Sequence, residues 1–406
     1  MQIKPILAAL RHHKAGTVLI ALQIALTLAI VCNALFVIHQ RVTNLSRPSG
    51  IDEANLVVVE NQWVGKSTKD ENASRMAADL ATLRQVSGVT QVYATNSYPL
   101  SGRGWTVGMG YIPDKQAWIS EAAIYFADEN TLSTLGLKLI AGRNFHADEI
   151  GHIGNEDRLE PSEIIVTKDL ADRMFPHGNA LGSSVYISAK PSTIIGIIEH
   201  LQVPYASSSE AKWAERSTLV PYQLMNGVTD YVLRVQPGQL AEVARAAPKA
   251  LMAANRLRVI SPIDGVQLFS AIRARAYKSD RGMVILMSAI CVVLLAITAA
   301  GIVGLTSFWV SQRRKQIGIR RALGATQHDI LNYFLTENLL IGTGGVVMGT
   351  VFAFAINLWL MKQFEMDRLA LGYLMVGVIV VLLLGQGAVL APALRASHVP
   401  PVEATR

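Results

Sequence analysis

Residues 313–335 read "RRKQIGIRRALGATQHDILNYFL". This stretch joins two long apolar runs and carries Arg313, Arg314, Lys315, Arg320 and Arg321 on a short connector. Ile317 with Arg320, and Ile319 with Leu323, are helical neighbours, and Gly324 predicts a C-terminal stop. Gln327 and Asp329 then precede a second apolar pattern of Ile330, Leu331, Phe334 and Leu335. The spacing predicts a short helix, a turn, and a new helix rising into the next apolar run. Two readings of the connector stand side by side. It is a snorkelling basic loop that only fixes topology, or it is a compact helical element whose apolar groups are covered by something else. Ile317, Ile319 and Leu323 favour the second, because apolar groups on a water-facing connector call for a partner or lipid.

Composition sets the class. Of 406 residues, 51% are hydrophobic and 17% charged, and mean hydropathy is +0.31. That is too apolar for an ordinary soluble domain and implies membrane spans. The net charge of +7 is read as cytoplasmic anchoring charge, because no basic patch interleaved with aromatics suggests nucleic acid. Cys32 and Cys291 fall in separate apolar runs and are read as buried thiols, without disulfide or metal spacing.

A hydrocarbon core of about 30 Å needs about 20 helical residues. Spans are expected at 17–38, 283–310, 335–361 and 369–394. An amphipathic surface helix is expected over 1–16 and a cytoplasmic tail over 395–406. The first run is too long for a signal peptide and has no clean cleavage site, so it is read as a retained anchor. The basic 311–334 connector is placed in the cytoplasm and "KQFEMDR" at 362–368 outside. Arg273, Arg275, Lys278 and Arg281 oppose this assignment, but long loops are largely exempt from the charge rule.

Residues 39–282 then form one extracytoplasmic α+β domain with two subdomains. Strand–helix–strand units at 50–112 and 228–262 are expected to share a sheet, with 113–227 as an inserted subdomain. The final helix, from about Val266, is expected to run straight into the second span as a stalk over 263–282. Strands are read at Ile164 to Val166, Val185 to Ile187 and Ile194 to Ile198.

Several tempting features are set aside. "VGKST" at Val64 lacks the first glycine of a phosphate loop, whose place Glu60 holds. His12 and His13 are read as surface residues. His146, His152, His177 and His200 show no metal-ligand spacing. Asn33, Asn357 and Gln386 either line a pore or bond between helices. Gly345-x-x-x-Gly349 permits close helix approach, within or between subunits. No row of ionisable groups crosses the bilayer, which argues against ion-coupled transport. No catalytic or metal constellation appears, so the chain is expected to be non-catalytic.

The connector "RRKQIGIRRALGATQHDIL" closely resembles the sequence after the second span of FtsX/MacB-type permeases of ABC transporters, the type VII architecture. "APALRASHVPPVEATR" at 391–406 resembles the ending of that family. "LSTLGLKLIAGRNF", "IIVTKDLADRMFPHGNALGSSVYI" and "STIIGIIEH" are similar to its periplasmic domain. The resemblance implies that Gln316, Ile317, Gly318, Ile319, Arg320, Arg321, Leu323 and Gly324 form a coupling helix that contacts an ATPase. Gln316 departs from the acidic residue usual before Ile-Gly-Ile, which removes a charge-assisted contact. The resemblance further implies a multi-pass protein of the bacterial inner membrane with a large periplasmic domain. No fused ATPase domain is expected to fit in the remaining length, so ATP and magnesium are expected on a separate cytoplasmic ATPase, with no cofactor on this chain. A second permease subunit, and in an efflux system a periplasmic adaptor and outer-membrane channel, complete the expected partners. Export driven by mechanical transmission is the first reading. An FtsX-like regulator of an extracytoplasmic cell-wall hydrolase, or a lipoprotein-release-type transporter, is the alternative. A receptor would need a cytoplasmic signalling domain, and none is read in this chain.

Overall fold

The computed structural model describes residues 14–113, 117–206, 213–364 and 368–398. The surface helix expected over 1–16, with His12 and His13, lies outside them except at its last three residues, as does the end of the tail at 399–406. The chain divides into two compact units: residues 1–45 with 280–406, and residues 46–279.

In chain order, helix α1 (Lys14–Leu45) leads into β1 (Leu56–Trp63), α2 (Lys69–Arg84), β2 (Val89–Thr95), β3 (Trp105–Met109), β4 (Ser120–Phe126), α3 (Thr131–Leu135) and β5 (Leu139–Gly142). There follow β6 (Gly151–Ile153), β7 (Glu163–Thr167), α4 (Lys168–Met174), β8 (Ser184–Tyr186), β9 (Pro191–Ile198), β10 (Ser217–Val220) and β11 (Tyr222–Leu224). The chain continues with β12 (Val228–Val235), α5 (Leu240–Ala254), β13 (Arg258–Val259), β14 (Val266–Leu268) and α6 (Phe269–Ala276). It ends with α7 (Lys278–Gln312), α8 (Arg314–Ala322), α9 (Gln327–Phe364) and α10 (Leu371–Ser397).

Among the described residues, four helices are long and apolar enough to cross a membrane: α1, α7, α9 and α10. With no hydrophobic drive between helices in lipid, close backbone approach and buried polar contacts hold such a bundle. Gly345 and Gly349 supply the first within this subunit. A Cβ at either position would lie 2.8 Å from a carbonyl oxygen of α1, that of Ala21 or Ala25. Asn33 Nδ2 supplies the second by donating to Ala353 O on α9 at 3.1 Å. Asn357 Oδ1 accepts from Leu369 N at 3.0 Å. On the α7 side, the Thr27 and Thr298 hydroxyls lie 2.7 Å apart and Gln23 Nε2 donates to Ile297 O. Arg41 at the outer end of α1 pairs with buried Asp280 at 2.7 Å. Cys32 and Cys291 are both buried free thiols.

The extracytoplasmic unit has two main sheets. The five-stranded sheet runs β13-β1-β12-β2, with β14 also on β1, and its pairings are antiparallel. β1 lacks polar alternation because both of its faces are largely covered. Val57 and Val59 join Met76, Leu80 and Leu83 of α2 and Val243, Ala247 and Leu251 of α5 in one core. The "VGKST" stretch ends at the start of α2. Thr68 Oγ1 accepts from Glu71 N at 3.3 Å while Thr68 N donates to Glu71 Oε2 at 2.9 Å, a reciprocal capping box. The mixed seven-stranded sheet runs β3-β4-β10-β7-β9-β5, with β8 on β9. α4 covers it over Ile164, Val166, Ile194 and Val220.

Two expected boundaries move. β3 pairs with β4 from Trp105, so the inserted subdomain begins before 113. The segment expected to open the stalk at Val266 is instead β14, paired with β1 through Val59↔Val266. Helix starts only at Phe269, and Tyr277, between α6 and α7, interrupts it at φ −98° and ψ 11°. Sheet pairing overrides helical periodicity there because Val266 and Leu268 are needed to extend the apolar face of the sheet.

The extracytoplasmic unit holds one ion pair almost wholly out of water. Arg258 donates to both Asp79 oxygens at 2.7 and 2.8 Å, with side chains 0% and 2% exposed. Tyr231 Oη donates to Asp79 Oδ2 at 2.7 Å, and the guanidinium lies over the Trp63 ring at 4.1 Å. Removing one partner strands the other charge. Asp79→Ala is therefore expected to destabilise the unit by about 3–5 kcal/mol, read as a fall in urea midpoint of the purified chain. A midpoint within error of wild type would contradict it.

Asp128, after β4, is pushed up to about 6, chiefly by burial and then by the adjacent Glu129. Its native carboxyl holds a proton that the unfolded chain releases near pH 4. This group's contribution is therefore most favourable below pH 4 and is lost as pH rises to about 6. Asp128→Asn keeps an acceptor for Asn130 N and Thr131 Oγ1 and removes the titration. The variant is expected to gain on wild type by on the order of 2 kcal/mol between pH 4 and pH 7. Thermal melts of both proteins across that range check it.

Candidate functional site

The connector lies between α7 and α9. α7 stops at Gln312, and Arg313 makes the joint at φ −97° and ψ 10°. Backbone bonding barely breaks there, since Arg313 N donates to Trp309 O and Ile317 N to Arg313 O. The Arg313 side chain turns inward. Its Nη1 donates to both Glu337 oxygens at 3.1 Å, with side chains 11% and 4% exposed. A carboxylate this dry at the edge of an apolar bundle requires such a partner.

α8 ends as its composition predicts. Gly324, at φ +99°, takes a left-handed conformation. Ala325 N reaches back to Arg320 O, and Gly324 N to Arg321 O. This is a Schellman closure. Thr326 then caps α9: Asp329 N donates to Thr326 Oγ1, and Thr326 N to Asp329 Oδ2. Two opposed helix ends are thus satisfied within three residues, which fixes a sharp elbow.

The expected docking set divides by face. Ile317 is buried with Ile330 and Phe334 in the core of the bundle, and Gly318 is buried beside it. Arg321 Nη1 donates to Ser397 O at 2.6 Å and ties the elbow to the end of α10. Arg320 lies over the Tyr333 ring at 5.0 Å. Ile319 and Leu323 stay outside, 45% and 83% exposed. Gln316 is exposed and lines an open cleft of about 790 Å³ between α8 and α9, with Ile317, Arg320, Asp329, Tyr333 and Phe334 among its walls. Sequence reasoning named neither Tyr333 nor Ser397. Nor was Glu337 among the expected site residues; the nearby arginines were the available signal for it. Among the described residues, no group of three or more His, Cys, Asp or Glu side chains is placed to hold a metal.

Arranged this way, the elbow presents Ile319 and Leu323 beside exposed Arg314, Lys315 and Arg320, on a helix pinned at both ends. It has the character of a protein-contact surface, with an apolar centre and a cationic rim.

Two protein-family models match. Residues 17–251 match the MacB-like periplasmic core domain, and residues 288–401 match the FtsX-like permease C-terminal domain. The chain is 26% identical over 227 residues to the macrolide export ATP-binding/permease protein MacB of Chromobacterium violaceum, covering 55% of this chain and 33% of that protein. It is 25% identical to the MacB of Neisseria gonorrhoeae, covering 66% and 40% respectively. The chain therefore spans between a third and a half of the length of these curated relatives. The crystal structure of the periplasmic region of MacB from Actinobacillus actinomycetemcomitans aligns at 14% identity and a TM-score of 0.34, over 57% of this chain and 97% of that one. With a core-domain model matched over more than half its length and a permease model over its C-terminal spans, the chain belongs to the MacB/FtsX-type family of ABC transporter permeases.

Proposed function

We propose that this permease docks a cytoplasmic ABC ATPase on α8 and converts ATP hydrolysis by that subunit into movement of its extracytoplasmic unit, in the service of export. The observation that carries the reading is the elbow. Ile319 and Leu323 stand exposed beside Arg320, on a helix held to α9 by Arg313–Glu337 and to α10 by Arg321. A force applied to α8 therefore enters the bundle through short, stiff contacts rather than through a loose loop. Mechanical work is favoured over conduction because the Thr27 and Thr298 hydroxyls bond to one another and the Asn33 amide nitrogen bonds to backbone across helices. The export assignment draws on the relatives named for macrolide export. In this reading, two permease copies pair in the bacterial inner membrane, each with one ATPase. An adaptor and an outer-membrane channel carry substrate onward. ATP and magnesium sit on the ATPase.

Ile319→Asp and Leu323→Asp each place a carboxylate at the centre of the proposed contact. Each is expected to release the ATPase during co-purification while the permease remains folded in the membrane, a loss of about tenfold or more in affinity. Retention of the ATPase at wild-type stoichiometry by both variants would overturn the docking role.

A further inference from the structure

The cleft between α8 and α9 is separate from the outward face that carries Ile319 and Leu323. Its walls include apolar Ile317, Ile330, Tyr333 and Phe334, together with polar Gln316, Arg320 and Asp329. At about 790 Å³ it exceeds the volume of any single side chain several-fold. A concavity of this size beside a contact helix, with apolar side chains among its walls, can receive part of a partner.

Its electrostatics specify the partner further. Arg313 is neutralised by Glu337. Asp329 is turned back onto Thr326 N and Oγ1. Arg320 forms no ion pair among the described residues; it lies on Tyr333 and lines the cleft. Among the described residues, the two carboxylates near the cleft, Asp329 and Glu337, are thus both already engaged. A cleft that sets apolar side chains beside an arginine recognises an apolar side chain that carries a carboxylate beside it.

We propose that the cleft receives an apolar side chain of the ATPase, delivered by a segment whose neighbouring Asp or Glu pairs with Arg320. This rests on the docking reading above and adds a second, inward contact to it: the ATPase is held by a knob inserted into the permease as well as by α8 resting on its surface. Gln316 lines the cleft as a neutral group, which leaves the incoming carboxylate unopposed.

The test uses the full chain in lipid nanodiscs. Each stand-alone ABC ATPase subunit of the same genome is purified and titrated against it singly. For the subunit that binds, Gln316→Trp, which adds bulk to the cleft wall, and Arg320→Glu are each expected to weaken binding about tenfold or more. Arg320→Gln is expected to flatten the salt dependence of the affinity. Arg320→Glu is expected to recover when one ATPase Asp or Glu is changed to Arg, an exchange that a merely structural Arg320 would not permit. Unchanged affinity in Gln316→Trp and Arg320→Gln, alongside loss in Ile319→Asp, would overturn the socket and leave docking on α8 intact. Failure of every ATPase to bind the wild-type chain would overturn the docking reading, and the socket with it.

Discussion

The buried pair between Arg313 and Glu337 is the constraint on which the elbow end of this permease's helix bundle depends. A single carboxylate on α9, 4% exposed, meets the guanidinium at the joint between α7 and α8. Such a pair adds little to net stability, but breaking it is costly, so its main effect is to restrict the arrangements open to the chain. Here it ties the joint between α7 and α8 to α9. Ile317 adds an apolar anchor one helical turn further on, and Arg321 fastens the far end to Ser397. With those three points fixed, Ile319 and Leu323 have nowhere to go but outward. Exposure of apolar groups is therefore a consequence of how α8 is pinned, and it gives the elbow its contact character.

The membrane bundle is built on a different principle. α9 lies against α1 because Gly345 and Gly349 let the backbones touch, and Asn33 locks the pair with one interhelical bond. α7 is attached by a polar seam of Gln23, Thr27 and Thr298, and few of its other side chains are buried. The helix that leads from the extracytoplasmic unit into the elbow is thus the one least committed to its neighbours. A weakly packed helix between two well-pinned ends is suited to transmit displacement, because moving it disturbs few contacts. The extracytoplasmic unit meets the opposite requirement. Its Asp79–Arg258–Tyr231 network and its doubly covered β1 resist deformation within the five-stranded sheet.

Much of this was legible in the residues. Four apolar runs gave four helices, since only a helix satisfies its own backbone in lipid. The strand–helix–strand units at either end of the insert lie in one sheet, with β1 beside β12. The elbow could be read from Gly324 and from the apolar–basic spacing. What could not be read was which face of α8 is covered. Ile317 and Ile319 are equally apolar and lie about 200° apart on a helix. The choice between them is made by Ile330 and Phe334, which arrive from the next element. Periodicity also misled at Val266, where an edge strand ahead of α6 continues the apolar spacing of a helix. The capping box at Thr68 was hidden inside "VGKST", which drew attention as a failed phosphate loop. Its glycine and lysine have no phosphate to hold, and its threonine starts a helix.

The central claim is that α8 is a cytosolic contact surface. It is tested most directly by thiol labelling of Leu323→Cys in a background with Cys32 and Cys291 replaced by Ala. A membrane-impermeant maleimide applied to intact cells is predicted to leave position 323 unlabelled. The same reagent is predicted to label it after permeabilisation, and a bound ATPase to block that labelling. Modification of the introduced thiol in intact cells would put the elbow on the wrong side of the membrane and contradict the account.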